Sequence, residues 1–234
     1  MTDCPVISSQ VQSSDRLILG YPNRTFRHYK QPRFPELLRR FLYGQLNQGA
    51  EIQPNIPLDL CPDFKGRISV YHSAVARFFA PSDLCGIGGM YHERIRSNPN
   101  WGDGYVRHDT VFVETDPGPA QRGMQGMQIA RVRLFFSFTL DSKRYPCALV
   151  EWFVPSDEPD EDTQMWVVRP EFHDNGQRTL DIIHLDSIAR AAHLLPIFGS
   201  SFVPEGLHFS DVLEVYRAYF VNNFVDHHCN EFLT

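Results

Sequence analysis

A chain of 234 residues with 42% hydrophobic and 13% aromatic content can bury a core of its own, and its composition excludes a wholly disordered chain. The net charge is −6, and the five cysteines (Cys4, Cys61, Cys85, Cys147 and Cys229) are too few and too scattered for a disulfide framework. No stretch approaches about 20 uncharged apolar residues, and the opening MTDCPVISSQ lacks both parts of a secretory leader, so a nuclear or cytoplasmic protein without a membrane span is expected.

In chain order, residues 1–20 are rich in Ser and Gln, and residues 1–30 are expected to form a flexible basic arm ahead of a single domain, 31–234. Between Arg16 and Arg40 lie seven bases (Arg16, Arg24, Arg27, Lys30, Arg33, Arg39 and Arg40) against the single acid Glu36, interleaved with Tyr21, Phe26, Tyr29 and Phe34. Pro35 then opens a short helix with Glu36 at its positive end and an apolar face of Leu37, Leu38, Phe41, Leu42 and Leu46. Residues 47–66 read as a crossing loop.

From Arg67 the period changes to two. Residues 67–80, 105–114, 127–140, 144–154, 164–169 and 180–185 are strand candidates. In the third, Val132, Leu134, Phe136 and Phe138 fall on one face, with Arg131, Arg133, Ser137 and Thr139 on the other. Strands separated by turns, without intervening helices, predict a mainly β fold. We expect a partly open antiparallel barrel over 67–200. Ser210, followed by Asp211 and Glu214, is expected to cap a helix, 210–230, that packs across it with Val212, Leu213, Val215, Tyr216, Tyr219, Phe220, Phe224 and Val225.

Several patterns bear on chemistry. Cys85-Gly-Ile-Gly-Gly89 lacks the Lys and Ser/Thr that a phosphate loop needs and reads as a glycine turn. No nucleophile elbow is present, and His184 with Asp186 reads as a strand end. Asp226-His227-His228-Cys229 cannot converge on one ion from consecutive helical positions, so no metal and no cofactor are expected. Asp109, Glu151 and Asp186 lie on or beside strands and are the carboxylates a two-metal nuclease would need, but the helix that should follow such strands is missing.

Two binding patterns remain. The basic, aromatic-spaced segment 16–40, through Arg24, Arg27, Lys30, Arg33, Arg39 and Arg40, suits nucleic acid, because arginines displace counterions and rings stack on unpaired bases. The alternative is that this arm docks on the acidic body. Trp152, Phe153 and Trp166 flank an acidic loop holding Asp160 and Asp162, the residue types of a cage for methylated lysine. The alternative is that these rings are core.

The segments Arg33-Phe-Pro-Glu-Leu-Leu-Arg-Arg-Phe-Leu-Tyr43, Arg67-Ile-Ser-Val-Tyr-His-Ser-Ala74, Tyr145-Pro-Cys-Ala-Leu-Val-Glu-Trp-Phe153, Ile183-His-Leu-Asp-Ser-Ile-Ala-Arg-Ala-Ala-His-Leu-Leu195 and Tyr219-Phe-Val-Asn-Asn-Phe-Val-Asp-His-His228 stand in a fixed order. With Ala80–Met90, Ala130–Phe138 and Asp160–Val168, they resemble the C-terminal region of Plavaka-type, CACTA-related fungal DNA transposases and their stand-alone derivatives. The resemblance implies a transposon origin. It carries over no catalytic residue, since in that family the catalytic carboxylates lie upstream of this region. Trp152-Phe153 and Arg169-Pro170-Glu171 are also similar in shape to the strand-end pattern of bromo-adjacent-homology (BAH) domains, in a different order and spacing. Together these imply a non-catalytic interaction module, BAH-like in shape, whose partner is a chromatin protein, a transposase component or nucleic acid.

Overall fold

The computed structural model describes residues 17–19, 22–23, 31–47, 56–81, 88–102, 104–115, 123–200, 202–203 and 205–233. In chain order come β1 (Leu17–Leu19), β2 (Pro22–Asn23), α1 (Phe34–Leu46), β3 (Ile68–Tyr71), β4 (Ser73–Phe79), β5 (Met90–Trp101), β6 (Tyr105–His108) and β7 (Thr110–Glu114). There follow β8 (Met127–Leu140), β9 (Lys143–Pro155), β10 (Val167–Pro170), β11 (Leu180–His184), β12 (Ile188–Ala192), β13 (Leu194–Pro196), α2 (Val212–Val215), β14 (Tyr219–Val221) and α3 (His227–Leu233). The fold is mainly β, a nearly closed antiparallel barrel with a short helix near each end of the chain.

The hairpin β8–β9 is its backbone. Its two-residue turn places Asp141 at φ 48° and Ser142 at φ 65°, the left-handed pair whose twist matches the flanking strands. Along one edge β8 pairs with β9; along the other, its first half pairs with β7 and its second half with β3. Closure follows from two corners. β3 runs into β4 at His72, β6 runs into β7 at Asp109, and β5 bridges β4 and β6 on the opposite wall. Asp109 stabilises its corner by accepting the Arg96 N–H at 2.8 Å, while its own carbonyl accepts from Val132 N at 3.0 Å.

A register shift in β8 between Val132 and Leu134 corrects the expected facing. Ala130, Val132 and Phe135 point into the barrel with Ala74, Ile95, Val111, Val150 and Trp152, whereas Leu134, Phe136 and Phe138 point outward. A bulge inserts one residue and so flips the alternation beyond it. The outer surface is then covered twice. α1, with Pro35 in its first turn, lays Phe34, Leu37, Leu38 and Leu42 on Phe136, Phe138, Leu149 and Ile182; Leu46, expected on that face, is 57% exposed. The C-terminal chain covers Ile129, Phe153 and Val168 with Tyr219, Val221, Cys229 and Leu233.

The expected helix 210–230 is corrected to three pieces. Helical structure is confined to a 3-10 turn (Phe209–Asp211), the four-residue α2 and, beyond a strand, α3. β14 fills the gap between β10 and β13, so Tyr219 and Val221 turn inward at strand spacing while Val215, Phe224 and Val225 stay exposed. Ladder hydrogen bonds and a waiting apolar slot override helical propensity. Of the expected arm, 1–30, residues 17–19 and 22–23 are described and the rest lie outside the described residues. Within it, β1 adds to β4 and β2 adds to β3. The strand 90–101, passed over in the sequence reading, is one of the longest in the fold.

Candidate nucleic-acid interface

β4, β5 and β6 face the barrel with Ala74, Ala76, Phe78 and Ile95, so the alternate residues face outward. The cross-strand partners on that outer face are Arg77 with His92, Val75 with Arg94, Ser73 with Arg96 and, further along, Asn98 with Arg107. At the end of the hairpin Trp101 pairs with Tyr105. Four arginines thus line one open sheet face.

Their charge is poorly neutralised. Among the described residues, Asp109 is the one carboxylate in ion-pair contact with any of them, 2.8 Å from Arg107 Nε. Arg94 donates to Ser73 Oγ at 3.2 Å and Arg96 to the carbonyl of Arg94 at 3.4 Å, contacts that leave the positive charge in place. Burial, then the guanidinium of Arg107, lower the pKa of Arg96, with Asp109 opposing and Arg94 adding to the fall. Burial is the main cause and the neighbouring like charge the second.

The aromatic part is exposed beside them. Trp101 is 38% and Tyr105 40% exposed. The guanidinium of Arg96 lies 4.8 Å and that of Arg107 5.3 Å from the Trp101 ring centre, while His208 stacks on Tyr105 at 4.3 Å. Rings and guanidinium planes on one face can take unpaired bases and phosphates together. Behind the hairpin lies a cleft of about 420 Å³ that includes Glu93, Arg107, Asp109, Arg190 and Phe209 in its walls. Of the three arginines that line it, Arg94, Arg107 and Arg190, the last is 1% exposed and is held by Asp226 and Glu93, so the cleft presents mixed charge.

The residues expected from sequence lie elsewhere. Arg24, Arg27 and Lys30 fall outside the described residues. Arg33 donates to the carbonyl of Arg178 at 3.2 Å; Arg39 donates to Leu58 O and Cys61 O at 2.6 and 2.8 Å and pairs with Asp63; Arg40 donates to Ile56 O and pairs with Glu36. Those three guanidiniums bind the chain to itself. The expected aromatic cage is corrected: Trp152 lies in the barrel interior, Phe153 is fully buried on the opposite sheet face, and Trp166 packs against the C-terminal cluster. Adjacent strand residues point to opposite faces, so Trp152 and Phe153 cannot share a surface. Asp160 caps its own turn through Thr163, and Asp162 is exposed.

The carboxylate trio is not assembled either. Asp109 serves a barrel corner, Glu151 faces Arg133 and Arg178 outside the sheet, and Asp186 sits in a 3-10 turn. Among the described residues no group of three or more His, Cys, Asp or Glu side chains is placed to hold a metal ion. Gly88 and Gly89 adopt φ of +63° and +76°, as turn glycines do.

Arg77, Arg94, Arg96, Arg107, Trp101 and Tyr105 were missed in the sequence reading. Their signal is the alternation in Tyr91-His-Glu-Arg-Ile-Arg-Ser97, with two arginines flanking one buried isoleucine. Pro99 and the glycines before Met90 disguise it as loop. No protein-family model matches the chain, and no curated protein matches it.

Proposed function

We propose that the chain is an interaction module that binds nucleic acid, preferring unpaired strands, through the outer face of β4–β5–β6. The observation that carries this reading is the row Arg77, Arg94, Arg96 and Arg107 with one neutralising carboxylate among the described residues, ending in the exposed rings of Trp101 and Tyr105. Each phosphate neutralised releases condensed counterions, and each ring adds stacking that does not depend on base identity. The resemblance to the C-terminal region of Plavaka-type transposases supports the same reading: a non-catalytic nuclear module of transposon origin that handles DNA. A histone-reading role has less support, because its proposed aromatic pair is core.

The test is fluorescence anisotropy with a labelled single-stranded oligonucleotide of about 20 bases across a salt series. Contacts from three or four arginines correspond to a slope of log K against log salt of about −2 to −3 for a single strand. Replacing Arg94, Arg96 and Arg107 together by Gln is expected to flatten that slope and abolish measurable binding at physiological salt. Trp101→Ala is expected to cost about 1–3 kcal/mol with the slope unchanged. Equal affinity of the triple variant and the parent would overturn the reading.

A further inference from the structure

A second arginine cluster lies on the outer surface of β8 and β9. Arg131 and Arg133 come from β8, and Arg178 from the segment leading into β11. Arg131 is 3% exposed and donates through Nη1 to Glu214 Oε1; Arg133 Nη1 lies 3.5 Å from the same oxygen. On the other side Glu151 stands 3.6 Å from Arg133 Nε and 3.9 Å from Arg178 Nη2, ion pairs longer than hydrogen bonds. The Arg178 guanidinium is fixed between the rings of Phe153 and Phe172, 4.9 and 5.3 Å from their centres.

Two features set this cluster apart from an ordinary surface network. The first is unused donor capacity. Among the described residues Arg131 Nε, Arg178 Nη1, Thr179 Oγ1 and Tyr216 OH are buried without a hydrogen-bond partner, Arg133 Nε has only its 3.6 Å ion pair with Glu151, and Glu151 Oε2 accepts no hydrogen bond either. Donors left so would cost about 1–3 kcal/mol each, which fixed structure rarely tolerates in such density. The second is the asymmetry of the carboxylates. Glu151 is nearly enclosed, its side chain 11% exposed, whereas that of Glu214 is 55% exposed and engages the arginines through one oxygen from the four-residue α2.

We propose that Glu214 is an internal stand-in for a tetrahedral oxyanion, and that Arg131, Arg133 and Arg178 form a site for a phosphate group, either inorganic phosphate or a phosphomonoester. With Glu214 withdrawn, three arginines against Glu151 leave a charge of about +2, matching the −1.5 to −2 of such a group at neutral pH. Guanidinium forks suit its geometry, and a phosphate offers Arg131 and Arg133 several oxygens where Glu214 engages them through one. Exchange of one ligand for the other frees α2 from the barrel wall.

The test is isothermal titration of the full chain with inorganic phosphate and, in a second arm, phenyl phosphate. Saturable one-to-one binding is expected. Glu214→Gln removes the competing charge and is expected to tighten binding about tenfold; Arg133→Gln, on a partly exposed side chain, is expected to weaken it about tenfold. The Arg94/Arg96/Arg107→Gln variant is expected to bind phosphate as the parent does, so failure of the nucleic-acid reading and failure of this site are separable. A phosphate-dependent rise in the thermal unfolding midpoint gives a second readout for any variant with little binding heat. Preference for phenyl phosphate identifies an esterified phosphoryl group as ligand, and preference for phosphate identifies the free anion. No saturable binding by the Glu214→Gln protein up to about 10 mM, a range that reaches affinities weaker than 1 mM, would sink the proposal, as would binding indifferent to Arg133→Gln or lost in the triple variant.

Discussion

The outer surface of the β8–β9 hairpin is sealed twice, by unlike means. Under α1 the contact is hydrocarbon and ring edges: Phe34 meets Phe136 edge-on at 5.0 Å, and Phe41 and Phe64 approach Phe138 at 6.3 and 5.1 Å. Under the C-terminal chain, apolar packing around Phe153 and Tyr219 is joined by buried charge. Arg190, 1% exposed, is gripped by Asp226 through both guanidinium nitrogens and approached by Glu93 at 3.7 Å, and its plane lies 4.8 Å from the ring centre of Phe78. An apolar seal tolerates any register that keeps oil against oil. A charged seal accepts one arrangement and penalises every other, which suits a segment with little regular structure of its own. Its carboxylate Asp226, held below its ordinary value by Arg190, also ties it to pH.

The sharpest way to separate the two is to remove the charge at their centre. Arg190→Ala strands Asp226 and Glu93 partly buried, and it should cost about 3–5 kcal/mol in urea-unfolding free energy. A loss under about 1 kcal/mol, the worth of an exposed pair, would erase the distinction drawn here. On the apolar side Leu42→Ala, at a residue 1% exposed, should cost about 2–5 kcal/mol through lost transfer energy and an unfilled cavity, and by the same amount at pH 5 and pH 7.

The third measurement is the pH dependence itself. His108 is pushed down to about 3 by burial and by the charges of Arg133 and Arg131, against a backbone hydrogen bond with Val132 that favours the charged form. A histidine depressed in the fold is neutral there, so its contribution is complete above its ordinary value of 6.5 and drains away as pH falls toward 3. The slope should be about 1.4 kcal/mol per pH unit at most. His72 and His184, both lowered by burial, add in the same sense, so His108→Asn should flatten the limb between pH 6 and 4 rather than abolish it. Asp226 enters later. Burial raises its pKa, but the hydrogen bonds from Arg190 and Cys229 N outweigh that and hold it below 3.8, so its support is lost only in stronger acid. An unchanged profile in His108→Asn would show that the acid sensitivity arises elsewhere.

The smallest effect tests the hairpin that both seals share. Ser142 holds φ 65°, where glycine is free of strain, and Ser142→Gly should raise stability by about 0.5–1 kcal/mol, equally at either pH.

Much of the fold was readable in the residues. The alternation over 127–140 marks β8 end to end, and Pro35 with the spacing of Leu37, Leu38 and Leu42 marks α1 and its buried face. Of the proposed binding surface the sequence conveyed the residue types and not their place. Arginines beside aromatics pointed toward nucleic acid, but the densest such stretch, 33–40, spends its guanidiniums on its own carbonyls, while the open row on β4–β6 is spread over 31 positions from Arg77 to Arg107. Proximity in the chain favours local hydrogen bonds; a shared surface arises when separate strands are brought into register.

Period, turn chemistry and composition alone thus dictate the strands β3, β4 and β6–β11 and a mainly β body. Whether Val132 faces in or out, whether Trp152 is reader or core, and whether 219–221 is helix or strand were settled only by packing. A single bulge inverts a strand's facing, and an open slot between β10 and β13 outbids the weak helical preference of a short segment. Such outcomes depend on neighbours distant in sequence, and no local pattern encodes them.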